Sequence, residues 1–81
     1  MKYIVVFFSQ SGAIKFNKSM EKKGIDCILA PTPRRLSSSC GTCAQISYDN
    51  DVNDLVDDEV ESIYLIKNSI DYSLIYDSYD I

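Results

Sequence analysis

Cys40-Gly41-Thr42-Cys43 sets two thiols in a C-x-x-C pattern, directly after Pro31, Pro33, Arg34, Arg35 and the run Ser37-Ser38-Ser39. Such a pair can close a disulfide across a tight turn, and a thiolate attacks sulfur or selenium electrophiles directly. The neighbours of Cys40 suit that chemistry. Arg34 and Arg35 supply positive charge, Ser39 and the serines before it offer hydroxyl hydrogen bonds, and Gly41 permits a close backbone approach with exposed N–H groups. Cys40 is thus the candidate nucleophile. Cys43 is either its resolving thiol or the first residue of the strand that follows.

Other uses of these residues compete. Structural zinc needs about four ligands, and the chain has three cysteines and no histidine. No metal site is therefore expected in a monomer; only two chains pooling their cysteine pairs could build one. A thioredoxin-type oxidoreductase fits poorly, because its C-x-x-C opens a helix, whereas an extended segment follows here. Cysteine also packs as a small hydrophobe. Cys27, alternating with Ile25 and Leu29, reads best that way, while Cys40 in its polar surroundings reads least well so. Arg34 and Arg35 also suit a small anion such as phosphate, sulfate or selenite.

Composition narrows the field. Eighty-one residues make one domain, 1–81, and a hydrophobic fraction of 46% is ordinary for a globular fold. A net charge of −4 disfavours nucleic acid and anionic membranes as partners. The opening apolar run is too short for a secretory core or a membrane span, and three cysteines, an odd number, argue against a secreted disulfide framework. A cytoplasmic location is the expectation, with thiols reduced at rest. No cofactor is implied. The missing histidine removes the commonest general base.

The elements that must position the thiols follow from periodicity. Residues 2–8 read as a buried strand, and Ser9 or Ser11 as the N-cap of a helix that buries Ala13, Phe16 and Met20 and ends at Gly24. Residues 25–30 form a second strand, which Pro31 and Pro33 should stop. Residues 44–48 alternate as a third strand. Val52, Leu55, Val56, Val60, Ile63 and Tyr64 fall on one helical stripe, which predicts a second helix through Lys67. A competing reading makes Val60–Ile66 a strand. Residues 70–76 form the closing strand. The order β-α-β-β-α-β implies an α+β, ferredoxin-like sandwich: a four-stranded antiparallel sheet with two helices on one face. An open edge of so small a sheet can pair with a second copy, which makes a homodimer one expectation.

Pro31-Thr32-Pro33-Arg34, the apolar Leu36, then Ser37-Ser38-Ser39-Cys40-Gly41 resembles the signature of the bacterial DUF3343 family of selenium/sulfur carrier-like proteins. Gly24-Ile25 at the helix end and Ile70-Asp71-Tyr72 before Ile75-Tyr76 extend the resemblance along essentially the whole chain. It implies a small α+β protein whose carrier residue is the loop cysteine, matched here by Cys40. Members resemble the C-terminal part of proteins that begin with a sulfurtransferase-like domain of the TusA type. With no such domain expected here, donor and acceptor proteins would act in trans. The resulting expectation is a non-catalytic or weakly catalytic carrier that holds a persulfide or selenosulfide on Cys40, with Cys43 releasing the cargo. Its rival is a small ligand- or protein-binding module with structural cysteines.

Overall fold

The strand Lys2–Phe7, β1, lies at the centre of a five-stranded sheet. Successive side chains of a strand face opposite sides of its sheet, and both sides of β1 are covered. Tyr3, Val5 and Phe7 enter a core under the helix, while Ile4 and Val6 enter a smaller cluster on the reverse face. That double burial is why the stretch from Tyr3 to Phe8 contains no charged residue. The computed structural model describes residues 1–36 and 40–79.

The helix Gln10–Lys23, α1, begins and ends on local signals. Ser9 is its N-cap, and the Ser9 hydroxyl accepts the Gly12 N–H at 3.2 Å. At the other end Gly24 takes the left-handed conformation, φ 72°, and the Ile25 N–H donates to the Met20 carbonyl at 2.9 Å. Only glycine adopts that φ without a steric penalty. Ala13, Phe16 and Met20 are buried, and the Phe16 ring stands 5.1 Å from that of Phe7. Burying side chains of this size contributes roughly 1.5–3 kcal/mol each.

Strands β2 (Asp26–Pro31) and β3 (Thr42–Ser47) pair antiparallel, and β3 then pairs antiparallel with β1. β2 therefore runs parallel to β1, one strand removed, with α1 as the crossover. Pro31 ends β2 as expected. It does so at an edge of the sheet, where its missing N–H costs no ladder bond.

The second half departs from the ferredoxin-like expectation. The stretch read as a second helix is a 3₁₀ turn, Val52–Leu55, followed by strand β4 (Val60–Asn68), and β5 (Asp71–Asp77) comes after it. The described residues therefore contain one α-helix and a five-stranded antiparallel sheet in the order β2-β3-β1-β4-β5, not four strands backed by two helices. Two physical causes stand out. Asp51 Oδ1 accepts the Asn53 N–H at 3.0 Å and caps the 3₁₀ turn, but further on Asp57 Oδ1 accepts the Glu59 N–H at 2.9 Å, and a side-chain bond of that kind competes with helix propagation. The second cause is a register shift in the β1–β4 ladder, where Val6 pairs with Ser62 but Phe7 pairs with Val60. The extra residue, Glu61, lets Val60 and Ile63 reach the same face. A three-residue spacing that mimicked a helix belongs to a bulged strand.

Candidate functional site

The thiol segment is the connection between β2 and β3, and Thr32 closes its neck. The Thr32 N–H donates to the Gly41 carbonyl at 3.0 Å, and its hydroxyl donates to the Cys40 carbonyl at 3.4 Å. The chain then turns over the sheet face opposite α1, with the Leu36 N–H donating to the Pro33 carbonyl at 3.0 Å. Leu36 packs there with Ile4, Val6 and Cys43, and Ala30, Tyr64, Ile66 and Tyr72 flank the cluster. One leucine in a polar loop thus fastens the segment to the reverse face of the sheet.

Cys40 sits at the end of this loop and is 9% exposed. The Thr42 N–H donates to Cys40 Sγ at 3.3 Å, and Sγ–H can donate to the Thr42 carbonyl at 3.5 Å. A backbone N–H aimed at sulfur stabilises negative charge on it. Cys43 is fully buried in β3, with its Sγ 3.7 Å from the Pro31 carbonyl it donates to. Burial pushes the Cys43 thiol up; the Thr32 hydroxyl partly offsets this, and a charge on Cys40 would add to it. Cys27 lies on the opposite side of the sheet, packed against the helix-side core, and burial raises its thiol from 9.0 to about 11.

The remaining expected site residues divide. Arg34 is exposed in the turn after Pro33. Arg35 is engaged elsewhere in the chain: its Nη1 donates to the Ile70 carbonyl at 2.6 Å, in the turn between β4 and β5. A β-carbon built on Gly41 would meet nothing within 4 Å, so open space adjoins the Cys40–Thr42 backbone. Ser39, with Ser37 and Ser38, lies outside the described residues. Sequence reasoning passed over Thr32 as the clasp and Thr42 as the N–H donor to sulfur. Thr32 had one visible signal, its place between two prolines where a strand must stop.

Among the described residues no cluster of three or more histidine, cysteine, aspartate or glutamate side chains could hold a metal ion. A cavity of about 390 Å³ occupies the far end of the sheet, lined by Lys2, Asp26, Ile28, Gln45, Ser47 and Ile66 among others. Ser47 stands four positions from Cys43 along β3, roughly 14 Å at about 3.4 Å per residue, and Gln45, also in the lining, stands two. Cys27 lines this cavity, and Ile66 belongs both to its wall and to the cluster around Cys43; Cys40 and Cys43 are not among its lining residues. No helix among the described residues is long and apolar enough to cross a membrane.

A family model described as "Putative Se/S carrier protein-like" matches residues 2–77. Comparison with curated proteins and with solved structures finds no match.

Proposed function

This chain belongs to the Se/S carrier protein-like family, and from that membership and the loop geometry we propose that Cys40 carries sulfur or selenium between a donor and an acceptor protein. The observation that carries the reading is the Thr42 N–H directed at Cys40 Sγ at 3.3 Å. The step needs no external oxidant. Cys40 thiolate attacks the outer sulfur of a donor persulfide, the donor S–S bond breaks, and the donor departs as a thiolate. The persulfide now on Cys40 keeps the oxidation level the donor brought.

Delivery has two routes. An acceptor nucleophile takes the terminal sulfur and leaves Cys40 as a thiolate. Alternatively Cys43, once deprotonated, attacks the inner sulfur, forms the Cys40–Cys43 disulfide and expels hydrosulfide, or hydroselenide from a selenosulfide. The second route leaves the pair oxidised, and a dithiol reductant must reset it. Burial raises the Cys43 thiol and so disfavours its thiolate, which weighs toward direct delivery to the acceptor. Arg34, exposed beside the loop, would attract an anionic donor.

The rival reading, a ligand- or protein-binding module with structural cysteines, has one observation in its favour: both thiols of the pair are buried. Incubation of wild type and Cys40→Ser with a small-molecule persulfide, read by peptide mass, separates the two. A sulfur adduct on Cys40 that vanishes in the variant supports the carrier. Equal labelling of the variant, or none in wild type, favours the binding module.

A further inference from the structure

A strand at the edge of a sheet carries a row of backbone N–H and C=O groups open to a further strand, and bulges or charges on that edge discourage pairing. The two edges of this sheet differ in that respect. In β5, Tyr76 stands opposite Ile63 but Leu74 opposite Tyr64, so Ile75 is an extra residue that bulges the edge. In β2 the register against β3 is unbroken from Asp26 to Pro31, and Cys27-Ile28-Leu29-Ala30 carries no charge. Ile28, at the middle of that run, is 69% exposed. The Thr32 N–H donates to the Gly41 carbonyl at 3.0 Å, in the same register as the pairs before it. Hydrogen-bonded pairs alternate along an antiparallel ladder, so Asp26, Ile28 and Ala30 turn their backbone groups to β3. Cys27 and Leu29 turn theirs to the open edge. Pro31 has no N–H, and the Ile25 N–H is taken by the Met20 carbonyl, so the open stretch is bounded at both ends.

We propose that this edge pairs antiparallel with β2 of a second copy of the chain, about a two-fold axis at Ile28. Cys27 of each copy then exchanges both backbone bonds with Leu29 of the other, which satisfies every outward N–H of the strand. The two Ile28 residues meet in the close, non-bonded pair, with Cα atoms roughly 4.5 Å apart. On the helix side, Cys27 and Leu29 already pack against the core, and they carry it across the junction. The axis holds the two Asp26 residues at opposite ends, roughly 14 Å apart along the pair at about 3.4 Å per residue. Moving the axis to Cys27 or Leu29 would set Ile28 against Asp26 or Ala30 instead. The open stretch is thus its own complement, centred on the apolar side chain that lacks cover, and this favours a second copy over an unrelated strand. Because the axis stands perpendicular to the sheet, both copies present Leu36 and Cys43 on the same side. The pairing does not depend on the carrier reading.

Two measurements test it. Sedimentation equilibrium under reducing conditions, over a concentration series, should find wild type dimeric with a dissociation constant in the micromolar range. Ile28→Lys sets two like charges face to face at the axis, and should raise that constant by at least roughly tenfold. Ile28 is exposed in the single chain, so its substitutions should leave the chain folded. The second measurement reads the register. Mild oxidation of Ile28→Cys, resolved by peptide mass, should give a covalent dimer linked through position 28, whose Cα separation suits a disulfide. Native Cys27 should not link to its copy, because the register places their Cα atoms roughly 9 Å apart, beyond disulfide reach.

A wild-type protein that stays monomeric into the millimolar range overturns the proposal, and would leave the β2 edge to a strand of another protein. A dimer that Ile28→Lys does not weaken also overturns it, since association would then use another surface. So does a dimer that lacks the link at position 28 or links through Cys27, because its register would differ. Neither measurement uses a sulfur donor, so failure here leaves the persulfide experiment standing, and failure of that experiment leaves the dimer intact.

Discussion

A β-carbon on Gly12 would stand 2.7 Å from the β-carbon of Glu59 and 2.6 Å from its Oε2. Glu59 is laid over the first turn of α1, a turn with no acidic residue of its own. The Ser9 hydroxyl links the two, accepting the Gly12 N–H and donating to Glu59 Oε2 at 3.1 Å. The Phe8 N–H adds a bond to the Glu59 carbonyl at 3.1 Å. A carboxylate at a helix N-terminus is favoured by the helix dipole, so the approach to β4 is stapled to the start of the helix.

That contact reverses the usual effect of a helix substitution. Alanine in place of glycine normally gains about 1 kcal/mol in a helix interior. Here Gly12→Ala should instead lower stability by roughly 1–3 kcal/mol, the ordinary cost of overpacking. Urea denaturation checks it, with Glu59→Gly as the second arm of a double-mutant cycle. The Gly12→Ala penalty should shrink in the Glu59→Gly background; equal penalties in both would mean the contact is not its source.

Gly41→Ala tests the site without testing the fold. Its φ is not in the left-handed region and a β-carbon there meets open space, so stability should change by no more than about 0.5 kcal/mol. If a donor approaches the Cys40–Thr42 backbone closely, the same methyl lies in its path. Persulfide loading of Cys40 should then slow while the urea midpoint stays where it was.

Leu36→Ala should loosen the loop from the reverse face. The cost is expected at the low end of the range for buried leucines, about 2 kcal/mol, because the leucine fills a small cluster at the surface of the sheet. Cys43, which Leu36 covers, should gain alkylation rate in the folded protein more than Cys27 does. Equal acceleration of both would show loss of the whole sheet, not of its cover.

Cys27 makes stability depend on pH at the alkaline end. Its folded pKa, about 11, lies above the ordinary 9.0, so between those values the unfolded chain has released a proton that the folded chain still holds. Stability is therefore fully present below about pH 9 and declines as pH rises towards 11. Cys43 acts in the same direction. The difference in unfolding free energy between wild type and Cys27→Ala isolates the Cys27 share. It should narrow steadily over that window; a constant difference would count against the shift.

Several features of this protein are written in a few adjacent residues. Ser9 caps α1 and Gly24 ends it, because each acts on backbone groups within one helical turn. The two-sided apolar run of β1 needs burial on both faces wherever it lies, and the Pro31-to-Cys43 segment declares a loop with thiols and a family resemblance. Residues 60–66 are the opposite case. Their spacing fits a helix as well as a strand, and the choice fell to pairing with β1, whose Tyr3 lies opposite Leu65, and to the bulge at Glu61. Neither partner nor bulge is visible within the segment. The same holds at the site. The sequence set Arg35 beside a cysteine, but a long, flexible side chain can reach in any direction, and the fold turned it to Ile70. It also laid Leu36 on the reverse face and covered Cys40. Local propensities act over one turn or one strand, so the sequence alone determined where the helix, the first strand and the thiol loop lie. Contacts between residues far apart in the chain decided which face the loop covers and what each side chain touches.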